Sequence, residues 1–143
     1  MLPNIKVVAF DLDGTLLDTL GDLHTAVNYA LSQGGYPPRE KWEIRSFLGN
    51  GMRNLIKSAM PEGVTEGQVD ETLGVYQPYY DSHNLILTKP YDGVAEALEK
   101  LGERYAIGVV SNKQDTAVKP MCARFFGEEM YALGEVPGCP RKP

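Results

Sequence analysis

Apolar residues crowd together at two places in the chain and recur at helical intervals elsewhere. Residues 5–10 (IKVVAF) form a short, apolar run rich in β-branched residues, the pattern of a strand buried on both faces in a parallel sheet. The run ends abruptly in Asp-Leu-Asp-Gly-Thr, where Gly14 breaks it. Strand character returns at residues 105–110 (YAIGVV), and more weakly at about 130–133. Four helical segments lie between the first two strands. In the first, Leu20, Leu23, Val27, Ala30 and Leu31 share a face, and Gly34-Gly35 ends it. The second covers about 38–48, with Trp42 and Phe47 as core residues. The third places Met52, Leu55, Ile56 and Ala59 on one face and stops at Pro61. The fourth starts near Thr65, which Gln68 completes as a capping box. Its buried stripe is Val69, Leu73, Tyr76 and Tyr80. Further helices are predicted over 92–101, through Val94, Leu98 and Leu101, and over about 115–125.

The link between the two strong strands is long. A parallel crossover needs a dozen or so residues and one helix, and the helix at 92–101 satisfies that alone. The four helices before it are surplus to the crossover. The predicted fold is therefore α/β: a Rossmann-like parallel-sheet core from residues 1–17 and 89–143, with a four-helix cap inserted at 18–88. No internal repeat or low-complexity tract is visible.

Composition narrows the function. The chain has 143 residues, 43% hydrophobic and 23% charged, with net charge −5 and pI about 5.0. These are globular proportions. No Lys/Arg-rich run exists, so nucleic acid and membrane surfaces have no electrostatic footprint here. The N-terminal stretch reads as neither signal peptide nor membrane span. Cys122 and Cys139 form no CxxC pair and no zinc spacing, and read as ordinary thiols of a reducing, cytoplasmic compartment. The expected partner is a small molecule, and the sequence does not fix an oligomeric state.

Asp11 and Asp13 flank Leu12 just past the first strand. Ligands of open α/β folds bind at the carboxyl edge of the sheet, and residues two apart in extended chain point the same way. Two converging carboxylates call for a cation, and a hard one with oxygen ligands, magnesium above all, suits them. The plain alternative is a polar turn. At average residue usage the five-residue pattern arises by chance in on the order of one in a thousand chains of this length.

The stretch VVAFDLDGTLLDT resembles the first signature of the haloacid dehalogenase superfamily, and LLDTLGDLHTAVNYAL, FLGNGMRNLI and PYDGV resemble its phosphoglycolate phosphatase-like branch. The resemblance implies that Asp11 attacks phosphorus to form an aspartyl-phosphate. It implies that Asp13 protonates the leaving alcohol and then helps activate water. Magnesium is then held by the Asp11 carboxylate and the Asp13 backbone carbonyl, with Gly14 and Thr15 in the same phosphate loop. Ser111-Asn112-Lys113 resembles the second signature, with Ser111 on a phosphate oxygen and Asn112 supporting the substrate or phosphate. Taken alone, Ser-Asn after a strand is also an ordinary helix N-cap. Arg141-Lys142-Pro143 resembles the third signature and ranks Lys142 ahead of Lys113 as the phosphate-binding lysine. In the cap, Gly49-Asn50-Gly51 is the candidate loop that reaches the site, and Arg53 the candidate partner of a substrate carboxylate. His24, His83, Trp42 and the tyrosines are read as structural.

Cations are needed for a physical reason. A carboxylate about 4 Å from a phosphate dianion meets roughly 8 kcal/mol of repulsion at an effective dielectric near 20, about six powers of ten in rate. The family's fourth, acidic motif has no counterpart before Pro143. The chain is thus expected to be the N-terminal part of a phosphatase that by itself binds magnesium weakly and turns over slowly. The leading expectation is a phosphomonoester hydrolase acting on a small metabolite such as 2-phosphoglycolate. The alternatives are a sugar-phosphate mutase of the same superfamily and a catalytically incomplete phosphate- or partner-binding fragment.

Overall fold

In the computed structural model, which describes residues 4–128 and 130–136, eleven elements follow one another. They are β1 (Val7–Phe10), β2 (Leu17–Asp18), α1 (Leu20–Gln33), α2 (Lys41–Ser46), α3 (Met52–Ala59), α4 (Glu66–His83), β3 (Lys89–Pro90), α5 (Val94–Gly102), β4 (Ala106–Gln114), α6 (Asp115–Phe126) and β5 (Tyr131–Glu135). The chain divides into two compact units, Met1–Asp18 with Lys89–Pro143, and Thr19–Thr88. Among the described residues no helix is long and apolar enough to cross a membrane.

The first unit is an α/β layer. Its parallel sheet has the order β1-β4-β5, with Val7 opposite Ala106, Phe10 opposite Val109, and Val109 opposite Ala132. Both connections step the same way across the sheet, so right-handed crossovers place α5 and α6 on the same face. There α5 packs on β4, and α6 on β4 and β5. Val109, Ser111 and Ala132 are buried on that side. On the other face Val7, Tyr131 and Leu133 are 60%, 80% and 59% exposed. The expectation of a first strand buried on both faces is therefore corrected. Among the described residues β1 pairs with β4 alone, and one of its faces has no helix over it. A feature absent from the hydrophobic pattern is the short antiparallel pair β2–β3, Leu17 opposite Pro90 and Asp18 opposite Lys89. It clasps together the two points at which the chain leaves and re-enters this unit.

The second unit is helical. α1 packs on α2 and α4, and α3 on α4. The predicted capping box of α4 is present: the Thr65 hydroxyl accepts from the Gln68 amide at 3.2 Å, and the Gln68 side chain accepts from the Thr65 amide at 2.8 Å. Val69, Tyr76 and Tyr80 are buried as expected, but Leu73 is half-buried and its neighbour Thr72 takes the inner position. Thr72 fits there because its hydroxyl donates to the Gln68 carbonyl at 2.9 Å. Trp42 is corrected more sharply. It is 71% exposed. α2 turns Ile44 fully inward, and two residues earlier on a helix is the far side. Arg39 ties the unit together, its guanidinium donating to the Ala59 carbonyl at 2.7 Å and its amide to Asn28 Oδ1 at 2.9 Å.

Asp22 is the most heavily bonded carboxylate of this unit. Buried in the first turn of α1, it accepts from the amides of Ile86 (3.1 Å), Leu87 (3.0 Å) and Thr88 (2.9 Å) and from the Thr88 hydroxyl (2.8 Å). The helix N-terminus favours its negative charge. The unit's last residues are thereby fastened to its first turn. Asp22→Ala removes a charged acceptor from four donors and is expected to destabilise the unit by about 2–4 kcal/mol, with Asp22→Asn losing less. Urea unfolding followed by far-UV circular dichroism checks both.

Candidate active site

Parallel pairing decides where the two strand ends emerge. Phe10 pairs with Val109, so Asp11 leaves the sheet beside the Val110–Ser111 step of β4, on strands about 4.8 Å apart. This is the carboxyl edge, where α/β sheets bind ligands.

Buried leucines hold the acidic loop. Leu12, Leu16 and Leu17 are buried, while Asp11 and Asp13 remain partly exposed. The Leu12 carbonyl accepts from the amides of Thr15 (3.2 Å), Leu16 (3.0 Å) and Leu17 (3.1 Å), and the Gly14 amide donates to the Leu17 carbonyl at 2.9 Å. The turn needs a residue at φ +74°, which Gly14 supplies without a Cβ penalty. Asp11 Oδ1 accepts from the Leu12 amide at 2.8 Å. The pattern Asp-Leu-Asp-Gly-Thr-Leu-Leu is thus a loop plugged from below by apolar side chains, with carboxylates above.

β4 continues past Val110 to Gln114, with an irregular register over that stretch. Ser111, Asn112 and Lys113 therefore belong to the strand end. The residue that opens α6 is Gln114, without a side-chain cap, so the alternative of Ser111 or Asn112 as an ordinary N-cap is corrected. Ser111 is buried, and its Oγ accepts from the Lys113 amide at 3.1 Å. The Lys113 ammonium donates to Asp13 Oδ1 at 2.9 Å, with side chains only 10% and 19% exposed. Just beyond, Asp115 accepts from the Lys119 ammonium at 2.7 Å and from the Gly134 amide at 3.0 Å. These two partners, Lys119 first, hold the Asp115 carboxyl below its usual range. A Cβ on Gly134 would meet the Asp115 and Lys113 backbone at 2.5–2.6 Å, so β5 can approach the site loop only through a glycine.

Asp11, Asp13, Gly14, Thr15, Ser111 and Asn112 all lie in this α/β unit, at the ends of two adjacent strands. The amides of Gly14 and Thr15 are committed inside the loop, which leaves the Thr15 hydroxyl as its route to a ligand. Arg53 lies in α3 of the helical unit, on the ion-paired surface formed with Glu66, Asp70 and Lys57. Its hydrogen bonds to Glu66 and Asp70 raise the guanidinium further above its usual value. Lys142 lies outside the described residues. Lys113, ranked second in the sequence, is the lysine that reaches Asp13 among the described residues. The sequence signal for it was its place two residues after Ser111. His24 bonds to the Arg39 carbonyl and Asn28, and His83 to the Tyr79 carbonyl.

The donors at the acidic loop are carboxylate and carbonyl oxygens. Among the described residues no group of three or more His, Cys, Asp or Glu gathers to hold a metal. This set fits magnesium, which takes one or two carboxylates and fills its octahedron with water and phosphate oxygens.

Comparison with known proteins places the geometry in a family. Residues 8–131 match the family model described as haloacid dehalogenase-like hydrolase. A phosphoglycolate phosphatase of Haemophilus influenzae is 31% identical over 140 residues, which is 92% of this chain and 62% of the relative. An N-acetylmuramic acid 6-phosphate phosphatase of Pseudomonas aeruginosa is 32% identical over 84% of this chain and 54% of its own length. The crystal structure of a predicted phosphoglycolate phosphatase from Haemophilus somnus superposes with a TM-score of 0.85 at 28% identity, over 93% of this chain and 64% of that one. The chain spans about half the length of the curated relatives it matches, 44% to 62% for the first of them.

Two outcomes follow for the loop that carries Lys113. Gly134→Ala is expected to destabilise the α/β unit by about 2 kcal/mol or more, because backbone must move, as thermal unfolding checks. The Asp115 carboxyl is depressed, so its stabilisation is present above the unfolded value and is lost as pH falls through the folded one. Asp115→Asn is therefore less stable than the parent at pH 7, and the gap closes below about pH 4; urea unfolding at a series of pH values checks it.

Proposed function

Because the chain belongs to the haloacid dehalogenase-like hydrolase family, we propose that it carries the chemical half of a magnesium-dependent phosphomonoester hydrolase working through an aspartyl-phosphate. The observation that carries this reading is the Asp-Leu-Asp loop, seated on buried leucines at the carboxyl end of β1, beside Ser111 and Lys113 on β4. The Asp11 carboxylate attacks phosphorus. The leaving oxygen departs with a proton from Asp13, and Asp13 then takes a proton from the water that hydrolyses the acyl phosphate. Such an acid and a nucleophilic carboxylate must differ in protonation at one pH, which distinct surroundings achieve. Ser111 and Thr15 offer hydroxyls to phosphate oxygens, with Asn112 and Gly14 shaping the pocket, and Lys142 adds a cation from the third signature. The Asp11 carboxylate and the Asp13 carbonyl would hold magnesium, which supplies the positive charge that lets a carboxylate approach a phosphate.

The substrate class is a small phosphate monoester. The Haemophilus relative's name makes 2-phosphoglycolate the first compound to try. We read the inserted helices of Thr19–Thr88 as the part that distinguishes one leaving group from another. The free Cys122 thiol suits a reducing, cytoplasmic setting, and burial pushes it up to about 11.

The test is phosphate release from a panel of small monoesters, with and without magnesium, from the chain and its Asp11→Asn variant. Expected is slow, magnesium-dependent release that Asp11→Asn lowers roughly a thousandfold or more. Release that survives Asp11→Asn, or no release from any ester, overturns the reading for this chain.

A further inference from the structure

We propose that Lys113 is a positioning residue, holding the Asp13 carboxyl for proton transfer to the leaving group; this rests on the role given to Asp13 above. The ammonium donates to Asp13 Oδ1 at 2.9 Å across one hundred residues of sequence, and both side chains are largely shielded from water. Each end is fixed by its own backbone. Lys113 sits in β4 with its amide bonded to Ser111 Oγ. Asp13 sits in the turn whose amides converge on the Leu12 carbonyl and whose Gly14 amide bonds to Leu17. Ladder pairing of β1 with β4 ends at Phe10 and Val109, and this ion pair is a contact between the two chain segments beyond that point. With the ammonium held on Oδ1, the proposal assigns the transferred proton to Oδ2. As the phosphorus–oxygen bond breaks, its electron pair stays on the leaving oxygen. That oxygen takes the proton from Oδ2, and Asp13 is left as a carboxylate paired with Lys113. A lysine that merely attracted phosphate would help every ester equally. One that acts through Asp13 helps only esters whose leaving oxygen needs a proton.

The experiment is a leaving-group series, from alkyl phosphates through phenyl to 4-nitrophenyl phosphate, with the parent chain, Lys113→Met and Lys113→Arg. Expected for Lys113→Met is a loss in kcat of about 10- to 100-fold on alkyl esters, little change in KM, and a loss under about threefold on 4-nitrophenyl phosphate. Lys113→Arg restores part of the alkyl activity. A uniform loss along the series, or a loss carried in KM, overturns the proposal. A second readout does not depend on turnover. In the chain labelled with 15N-lysine, a slowly exchanging ammonium signal is expected that disappears in Lys113→Met and in Asp13→Asn. Its absence from the parent, or its survival in Asp13→Asn, overturns the proposal. If the signal behaves as expected but no ester is hydrolysed, the functional reading fails and the positioning contact stands.

Discussion

The parallel pairing of β1 with β4 is the constraint on which the candidate site depends. Asp11 and Asp13 come from one end of the chain, and Ser111 and Lys113 from near the other. Only the register of Phe10 opposite Val109 brings them to one edge. The pairing is weakly buttressed. β1 has four residues and a ladder on one side among those described, and one face of the sheet is open at Val7. Its support comes from the loop that follows it, where three leucines are buried and three amides close on the Leu12 carbonyl. The residues that anchor the strand are thus the same ones that aim the carboxylates. A substitution at Leu12, Leu16 or Leu17 is felt at the site as well as in the core.

Closing that pairing across about one hundred residues would cost roughly 4 kcal/mol of chain entropy if the intervening segment were a flexible loop. It is not flexible. Asp22 fastens residues 86–88 to the first turn of α1, and β2–β3 pairs the flanking dipeptides. With the insert's ends held together, the effective loop shrinks to about thirty residues, which recovers about 1 kcal/mol. It also shortens the search for a non-local parallel contact, the slow kind in folding. A folded insert can then vary in its exposed surface without disturbing strand pairing.

The sequence was legible where periodicity and capping dominate, and illegible where partners distant in sequence decide. The four inserted helices, the capping box at Thr65 and Gln68, and the two strong strands all follow from local pattern. Trp42 was misplaced because the helix phase that buries Ile44 turns Trp42 outward. The open face of β1 follows from which side α5 and α6 cover, which no local run of IKVVAF encodes. β2 and β3 are two residues each and carry no periodicity. Asp22 gives no local signal of its role, because its donors lie 64 to 66 residues away. Lys113 contacts Asp13 across one hundred residues, a partnership that no local pattern encodes.

The motif and the substrate are unequal in how far sequence carries them, and the relatives show why. Two that are 31% and 32% identical to this chain are named for different phosphate esters, phosphoglycolate and N-acetylmuramic acid 6-phosphate. Under the proposed function the Asp-Leu-Asp loop engages phosphorus, and a phosphate ester is what the two names share. Whatever distinguishes the esters must contact the leaving group, and a single buried polar group matched to a substrate oxygen can separate analogues by several powers of ten. In the helical unit the conspicuous charges are already engaged: Arg39 with Glu43, and Arg53 and Lys57 with Glu66 and Asp70. A substrate carboxylate that recruits Arg53 would therefore compete with two carboxylates of the protein. Its selectivity would come from that exchange rather than from an arginine held in waiting.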